Sequence, residues 1–417
     1  MSPLARLLIG SQFAFNVGFF AVLPYLAAHL SGCLGLAGWM VGLVLGLRTF
    51  SQQGLFVVGG ALTDRFGPRP VVLTGCALRV AGFLWLAVAD SVWSVTGAVL
   101  VVGLAAALFS PAVESEIARE AVRHETATGT PRTRLLARFS AGGQAGALIG
   151  PVLGVLLLHG GFGAACLAGA GVFTLVLAGH WRLMPGRPEP DTAHRAAALP
   201  GLRETLHHRR FLALTLAYSC YLLAYNQLYL ALPAELGGAT GSQAALGWLF
   251  ALSSALVVAG QLPLERYAAA RLSWGASVRT GLLVVSASFA AAGVLRPAGG
   301  LWSSLAFVVL LTLGQMLVVP ATRAWLPDLV PAHRLGLYTG MLSSLSGVVV
   351  LAGGAPAGML VEAEGAWPWA ALAAVPLVGA ALVPRGSDGS DTAGFPVPRR
   401  EGHRTPGPLG TQDDQRP

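Results

Sequence analysis

The sequence predicts an all-α polytopic membrane protein, with twelve transmembrane helices arranged as two pseudo-symmetric six-helix bundles. Three observations predict it. Hydrophobic residues make up 54% of the 417 and charged residues only 11%, a balance that places most of the chain in lipid rather than water. Apolar runs of about 20 residues, the length that crosses a bilayer core, recur twelve times between short charged, proline or glycine breaks. With the N-terminus set in the cytoplasm, the loop arginines from Arg65 to Arg334 fall on that side, and only Arg296 falls on the other. Cytoplasmic loops retain positive charge, and one missed span would scatter the later arginines over both faces. The isoelectric point near 9.9 therefore reflects topology, and a nucleic-acid partner is excluded.

The spans read in order as 7-30, 39-62, 70-90, 92-117, 134-158 and 162-184, then 210-233, 244-264, 276-295, 299-323, 335-361 and 366-384. The first begins after Arg6, as a signal peptide would, but its apolar run is too long and no small-residue cleavage site follows. It is expected to remain in the mature protein. The second and third carry Arg48 and Arg79 inside their apolar stretches, and the fifth carries Arg138 near its start. Residues 185-209, rich in Pro, His and Arg, separate six spans from six and read as a cytoplasmic central loop. Residues 1-184 and 210-384 are then the two bundles. Residues 385-417 lack periodicity and read as a disordered cytoplasmic tail.

Faint internal echoes support a duplication. Leu23-Pro24 matches Leu232-Pro233, Asp64-Arg65 matches Glu265-Arg266, Pro111 matches Pro320, and Gly150-Pro151 matches Ala355-Pro356, at offsets of 209, 201, 209 and 205. Parallel repeats of this kind place a binding site between the halves.

Two motifs stand out. The segment Gly60-Ala-Leu-Thr-Asp64-Arg65-Phe-Gly67-Pro-Arg69-Pro packs charge into a short break between the second and third runs. Arginines alone hold such a loop in the cytoplasm, whereas Asp64 contributes little to topology and is free to meet helix N-termini or guanidinium groups. Gly60 permits a close helix approach. The second motif, Gly146-Ala-Leu-Ile-Gly150-Pro151-Val-Leu-Gly154, sets glycines on one helix face and adds a proline that frees a carbonyl and bends the helix.

These residues carry a resemblance. Gly60 to Leu73 resembles motif A of the major facilitator superfamily, and Gly146 to Gly154 resembles motif C, which that superfamily associates with its drug/proton antiporters. The run from Gly42 through Arg48 and Gln52-Gln53-Gly54 into motif A, and on to Arg79 and Gly82-Phe83, is similar to the MdtH-type multidrug resistance branch. The resemblance implies alternating access, with Gly60, Asp64, Arg65, Gly67 and Arg69 as a conformational latch. It also implies a bacterial cytoplasmic membrane, both termini inside, a small-molecule substrate exchanged for protons, and a monomer. No cofactor, metal set or catalytic group is expected. Export of small amphipathic molecules is the leading function; nutrient or metabolite symport or uniport shares the fold, and a non-transporting sensor is the remaining alternative.

The sequence departs from the antiporter pattern where coupling is concerned. The first span offers Gln12 and Asn16 in place of an acidic residue, and the fourth lacks the motif B arginine. Glu114 and Glu116, toward the end of the fourth span, are the proton-coupling candidates, against the reading of a solvated helix end paired with Arg119. Arg48, near the middle of the second span, is costly in lipid, at about 2.5–3.5 kcal/mol for a central arginine. It serves as a gating or coupling cation, a counter-charge for an anionic substrate, or a tie between helices, with Gln52 one turn along as its partner. Arg79 and Arg138 pose the same choice.

Tyr218, Tyr221, Tyr225 and Tyr229 share one face of the seventh span. With Asn226, Gln52, Gln315, and Phe13, Asn16 and Phe20 of the first span, they form the expected substrate cavity. An aromatic stripe suits amphipathic or aromatic compounds, including cations held on ring faces; helix packing or a membrane-interface position accounts for it equally.

Overall fold

A computed structural model describes residues 1–186, 205, 207–331 and 334–384, with the Asp64 side chain outside the description. The expected central loop and tail fall largely or wholly beyond these residues. The described chain is a succession of helices without a strand. They are α1 (Pro3–Gly32), α2 (Gly38–Thr49), α3 (Phe56–Phe66), α4 (Pro68–Ala87), α5 (Val92–Thr128), α6 (Arg132–Leu158) and α7 (Phe162–Leu183). After the central segment come α8 (Arg209–Tyr225), α9 (Gln227–Thr240), α10 (Leu246–Arg271), α11 (Trp274–Leu295), α12 (Trp302–Leu329), α13 (Leu335–Glu362) and α14 (Trp367–Leu382).

Ten of the described helical segments are long and apolar enough to cross a bilayer. The other two expected spans are interrupted or short. Span 7 is divided at Asn226 into α8 and α9, and span 12 is the 16-residue α14. Span 2 is α2 and α3 joined through a π-helical turn, Phe50–Gly54. Span 4 runs eleven residues past its expected end, because an apolar-run criterion stops at the first charges. The helix itself continues, held by an i,i+3 pair between Arg123 and Glu120 at 2.8 Å and ended by Gly129 at φ 69°.

Local chemistry sets the ends. The Ser2 hydroxyl accepts from the Ala5 amide at 3.0 Å with Pro3 in the first turn, and the Ser273 hydroxyl caps α11 in the same way. Gly67, at φ 82°, turns α3 directly into α4. The charged loop expected between spans 2 and 3 is thus a single left-handed residue, which favours glycine, and Asp64 and Arg65 belong to the last turn of α3.

Tryptophans mark the boundary opposite the arginines. Trp93, Trp248, Trp302 and Trp367 are exposed near helix starts on that side, where indoles settle at the water–lipid interface. At the same end Arg296 reaches Glu235 Oε2 at 3.3 Å and donates to the Gly365 carbonyl at 3.1 Å, while Ser303 donates to Glu235 Oε1 at 3.1 Å. Glu235, buried in α9, lies just beyond the expected end of span 7 and is not among the carboxylates singled out from the sequence. Arg296→Ala leaves that carboxylate with one donor; the variant is expected to lose about 1–3 kcal/mol, read as a lower melting temperature of the purified protein.

Packing is closest within each set of six spans. Span 1 lies along spans 5 and 6, and span 3 along spans 4 and 6; span 9 lies along spans 10 and 12, and span 8 along span 10. The most extensive contacts between the sets are span 2 with span 11, span 5 with span 8, and span 1 with α9 of span 7; span 2 also touches α9, and span 1 touches span 8.

Candidate functional site between the two sets of helices

The irregular parts of spans 2 and 7 meet. Thr49, just before the π-turn, donates its hydroxyl to Asn226 Oδ1 at 3.2 Å, where span 7 is broken. Asparagine competes with the backbone for hydrogen bonds and weakens a helix interior; π-turns and broken helices deep in a membrane collect at functional positions. Arg48 sits one residue before this junction, 7% exposed, donating to Gln52 Oε1 at 2.5 Å with its guanidinium 4.7 Å from the Phe19 ring centre. Tyr225 and Tyr229, on the facing side of span 7, are its electrostatic neighbours. Arg48, Gln52, Tyr225, Asn226 and Tyr229 are therefore brought together.

The tyrosine stripe forms a ladder. Successive ring centres are 5.5, 5.9 and 6.1 Å apart from Tyr218 to Tyr229, and Phe250 of span 8 continues it at 5.4 Å. All four rings are buried or half-buried, which removes the membrane-interface reading. At the arginine-rich end of the ladder Arg323 of span 10 interacts electrostatically with Tyr218 and with Glu114 of span 4. Glu114, exposed on α5, thus lies within electrostatic reach of a cation from the other set of helices. Glu116 instead turns inward and is held by Arg123 at 2.8 Å and Arg119 at 3.7 Å.

Span 1 is rotated from its expected role. Its Phe13–Phe20 face sits on motif C: a Cβ at Gly146 would meet Phe13 and Asn16, one at Gly150 would meet Phe20 and Val17, and one at Gly154 would meet Ala21 and Tyr25. Asn16 donates its amide to the Gln12 carbonyl of its own helix at 2.9 Å. Phe15 and Phe19, on another face of the helix, are the aromatic residues directed at the arginines. Gln315 is half-buried in span 10, and its Oε1 has no partner among the described residues.

Arg79 is 1% exposed and enclosed by rings, with Phe15, Phe173, Phe19 and Phe83 at 4.5, 5.0, 5.4 and 5.6 Å. Its Nη1 donates to the Val102 carbonyl at 2.6 Å. Arg138, by contrast, is exposed near the start of α6, with Nη1 against Met1 Sδ at 2.9 Å. Its long, exposed side chain near the helix start can extend toward the arginine-rich boundary.

Motif C has a partner that its sequence does not announce. Pro151 has no amide hydrogen, which releases the Ala147 carbonyl, and Ser254 of span 8 donates to that carbonyl at 3.1 Å. The Tyr25 hydroxyl donates to the Pro151 carbonyl. The bend is thereby tied to span 1 and to the other set of helices.

In motif A the close approach belongs to Gly59, whose Cβ would strike the Ala107 carbonyl of span 4; a Cβ at Gly60 would meet nothing within 4 Å. Two adjacent glycines point about 100° apart on a helix, and only Gly59 faces span 4. Arg69 donates to the Trp181 carbonyl at the end of span 6 at 2.9 Å, where the helix dipole is negative. Arg65 is exposed over the Phe66 ring at 5.2 Å.

A family model described as the Major Facilitator Superfamily matches residues 8–236 and 214–406, nearly the whole length. The chain belongs to the major facilitator superfamily. A superfamily relative from Mycobacterium tuberculosis (strain H37Rv), an uncharacterized MFS-type transporter, is 37% identical over 371 residues, covering 86% of each chain. The multidrug resistance protein MdtH of Yersinia pestis (strain Pestoides F) is 32% identical over 324 residues, covering 78% of each. Among solved structures, the POT family transporter PepTSo superposes with a TM-score of 0.78 at 16% identity over 92% of this chain and 97% of that one. A nucleoside transporter, NupG, superposes at 0.73 with 13% identity over 91% and 98%. At those identities the structures establish the shared major facilitator fold, and the chain is a multi-pass membrane transporter of that superfamily.

Proposed function

We propose that this transporter exports small amphipathic molecules in exchange for protons, by alternating access about the junction of spans 2 and 7. The observation that carries the reading is the meeting of the π-turn and the broken helix at Thr49 and Asn226, with Arg48 and a tyrosine ladder beside it. Substrate held there touches both sets of helices, so a rocking motion of 1–184 against 210–384 transfers it from one side to the other. The relationship to a protein named for multidrug resistance supports export and an amphipathic cargo.

The protein works as a monomer in a bacterial cytoplasmic membrane, with both termini inside. That places the arginine-rich end in the cytoplasm. Glu114 is the coupling carboxylate, because it opposes Arg323 across the moving boundary, whereas Glu116 is neutralised within its own helix. Motif A, at the same end, latches the cytoplasmic side.

Purified protein in liposomes tests this. A panel of fluorescent amphipathic compounds is expected to accumulate under an imposed pH gradient, and Asp64→Asn is expected to slow turnover while the protein still inserts and folds. Wild-type flux from Asp64→Asn at equal protein level refutes the latch. Absence of flux for every compound, from protein that elutes as a folded species, refutes the export reading.

A further inference from the structure

Two buried guanidinium groups approach one ring, with no carboxylate paired to either among the described residues. Arg48 and Arg79 both approach Phe19, at 4.7 and 5.4 Å, and they act on one another as like charges. Arg48 Nε and Arg79 Nε and Nη2 are buried without a hydrogen-bond partner. Among the described residues no carboxylate forms an ion pair with either. A small void beside them is lined by Phe19, Arg48, Phe83 and Val102, among otherwise aliphatic side chains.

Such an arrangement is costly as a purely structural device. Each orphaned N–H forfeits hydration at about 1–3 kcal/mol, and a buried charge is retained economically only with a counter-charge. Aromatic faces offset part of this for Arg79, but they do not satisfy the remaining N–H groups or the repulsion between the pair. Arg48 also looks toward Tyr225 and Tyr229 of the other set of helices, whose hydroxyls bond to one another and leave one O–H as a further donor.

We infer that the site takes an oxyanion: the cargo is an amphipathic organic anion, in the simplest case an aromatic carboxylate. Arg48 and the remaining O–H of the Tyr225 and Tyr229 pair hold its head group, Arg79 supplies a second positive field, and the tyrosine ladder receives its apolar body. A guanidinium presents a planar fork that matches a carboxylate. The inference rests on the transport reading above and narrows it, because two uncompensated cations repel a lipophilic cation at the same point. Bringing the anion in also brings Arg48 the neutralisation that the protein itself withholds, so cargo binding and closure of the two sets of helices stabilise each other.

The experiment measures binding to purified full-length protein in lipid nanodiscs by fluorescence titration, using 2-naphthoate and the 2-naphthylmethylammonium cation, two probes of like shape and opposite charge. Flux of both through liposomes is followed in parallel. The wild type is expected to bind naphthoate more tightly than the cation. Arg48→Gln is expected to weaken naphthoate by about tenfold to a hundredfold, the loss of one charge-assisted hydrogen bond. Arg48→Lys should recover part of this, since it keeps the charge and loses the fork, and Tyr225→Phe should lower affinity by a smaller factor. Melting temperature and elution volume without ligand separate lost binding from lost folding. If Arg48→Gln does not fold, the ratio of anion to cation affinity in the wild type and the Tyr225→Phe result decide the matter. Equal or tighter cation binding in the wild type, or undiminished naphthoate affinity in folded Arg48→Gln, overturns the inference. Movement of the cation alone overturns it and leaves the transport reading standing; failure of folded protein to bind or move either probe overturns it too, while the export reading falls only with the whole panel of amphipathic compounds.

Discussion

Gly42→Leu is expected to abolish transport while the protein still inserts. A Cβ at Gly42 would strike the Gly354 carbonyl and lie 3.1 Å from the Gly358 amide nitrogen, and both are backbone atoms of α13 that no side-chain rotation removes. Gly38 lies against Gly358 on one side of this contact, and Gly46 lies against Val350 and Leu351 on the other. Spans 2 and 11 are therefore joined along a seam of small residues. The seam is strengthened at the arginine-poor end, where the Gly38 amide donates to the Glu362 carboxylate. A leucine must push the two helices apart, which costs about 1–3 kcal/mol or more, and the penalty falls on the conformations in which the two sets of helices touch here. Insertion is unaffected because leucine is more apolar than glycine. Flux per folded molecule in liposomes measures the effect; wild-type flux would mean that this seam is not part of the working cycle. Gly60→Ala, set in open space, is the matching control and is expected to transport at close to the wild-type rate.

If protons are exchanged at Glu114 as proposed, Glu114→Gln is expected to remove gradient-driven accumulation and leave downhill exchange. Glutamine keeps the volume and hydrogen-bonding capacity of glutamate but carries no exchangeable charge opposite Arg323. Coupling requires that the proton and the conformational change share one free-energy difference, and a neutral side chain has none to share. Accumulation under a pH gradient should fall by about tenfold or more, the equivalent of one charge-assisted interaction, while counterflow without a gradient persists. Retained accumulation in this variant would move the coupling elsewhere. Glu116→Gln separates the two carboxylates, since it removes the partner of Arg119 and one of the two partners of Arg123 within one helix and should lower stability before it alters coupling.

Legibility in the sequence followed the kind of force involved. The membrane spans, their alternation and the arginine-rich boundary were legible because transfer into lipid is nearly a sum over residues, and hydropathy and charge record it in one dimension. The two features that escaped, the break at Asn226 and the π-turn at Phe50–Gly54, involve residues a continuous helix tolerates. Thr49 and Asn226 reveal their role only when span 2 and span 7 are side by side. The glycine spacing of the Gly38, Gly42 and Gly46 series, and of Gly354 and Gly358, was visible as a small-residue repeat, and it was the strongest unused signal.

Site residues divide along the same line. That Arg48 and Arg79 sit in apolar stretches, that Gln52 shares a face with Arg48, and that four tyrosines share a face of span 7 follow from helical spacing alone. Helical spacing does not say which face of one helix meets which face of another. The placement of Phe13, Asn16 and Phe20 against motif C, of Phe15 and Phe19 against the arginines, and of Gly59 rather than Gly60 against span 4 was decided by rotation about helix axes. Rotation is set by packing many side chains at once, and no local pattern carries it. By itself, then, the sequence determined a membrane transporter of twelve spans with cations inside it. The tertiary structure alone decided that two of those cations share a ring and that the break at Asn226 meets Thr49 beside the π-turn, because such proximities arise only when distant helices are brought to one depth.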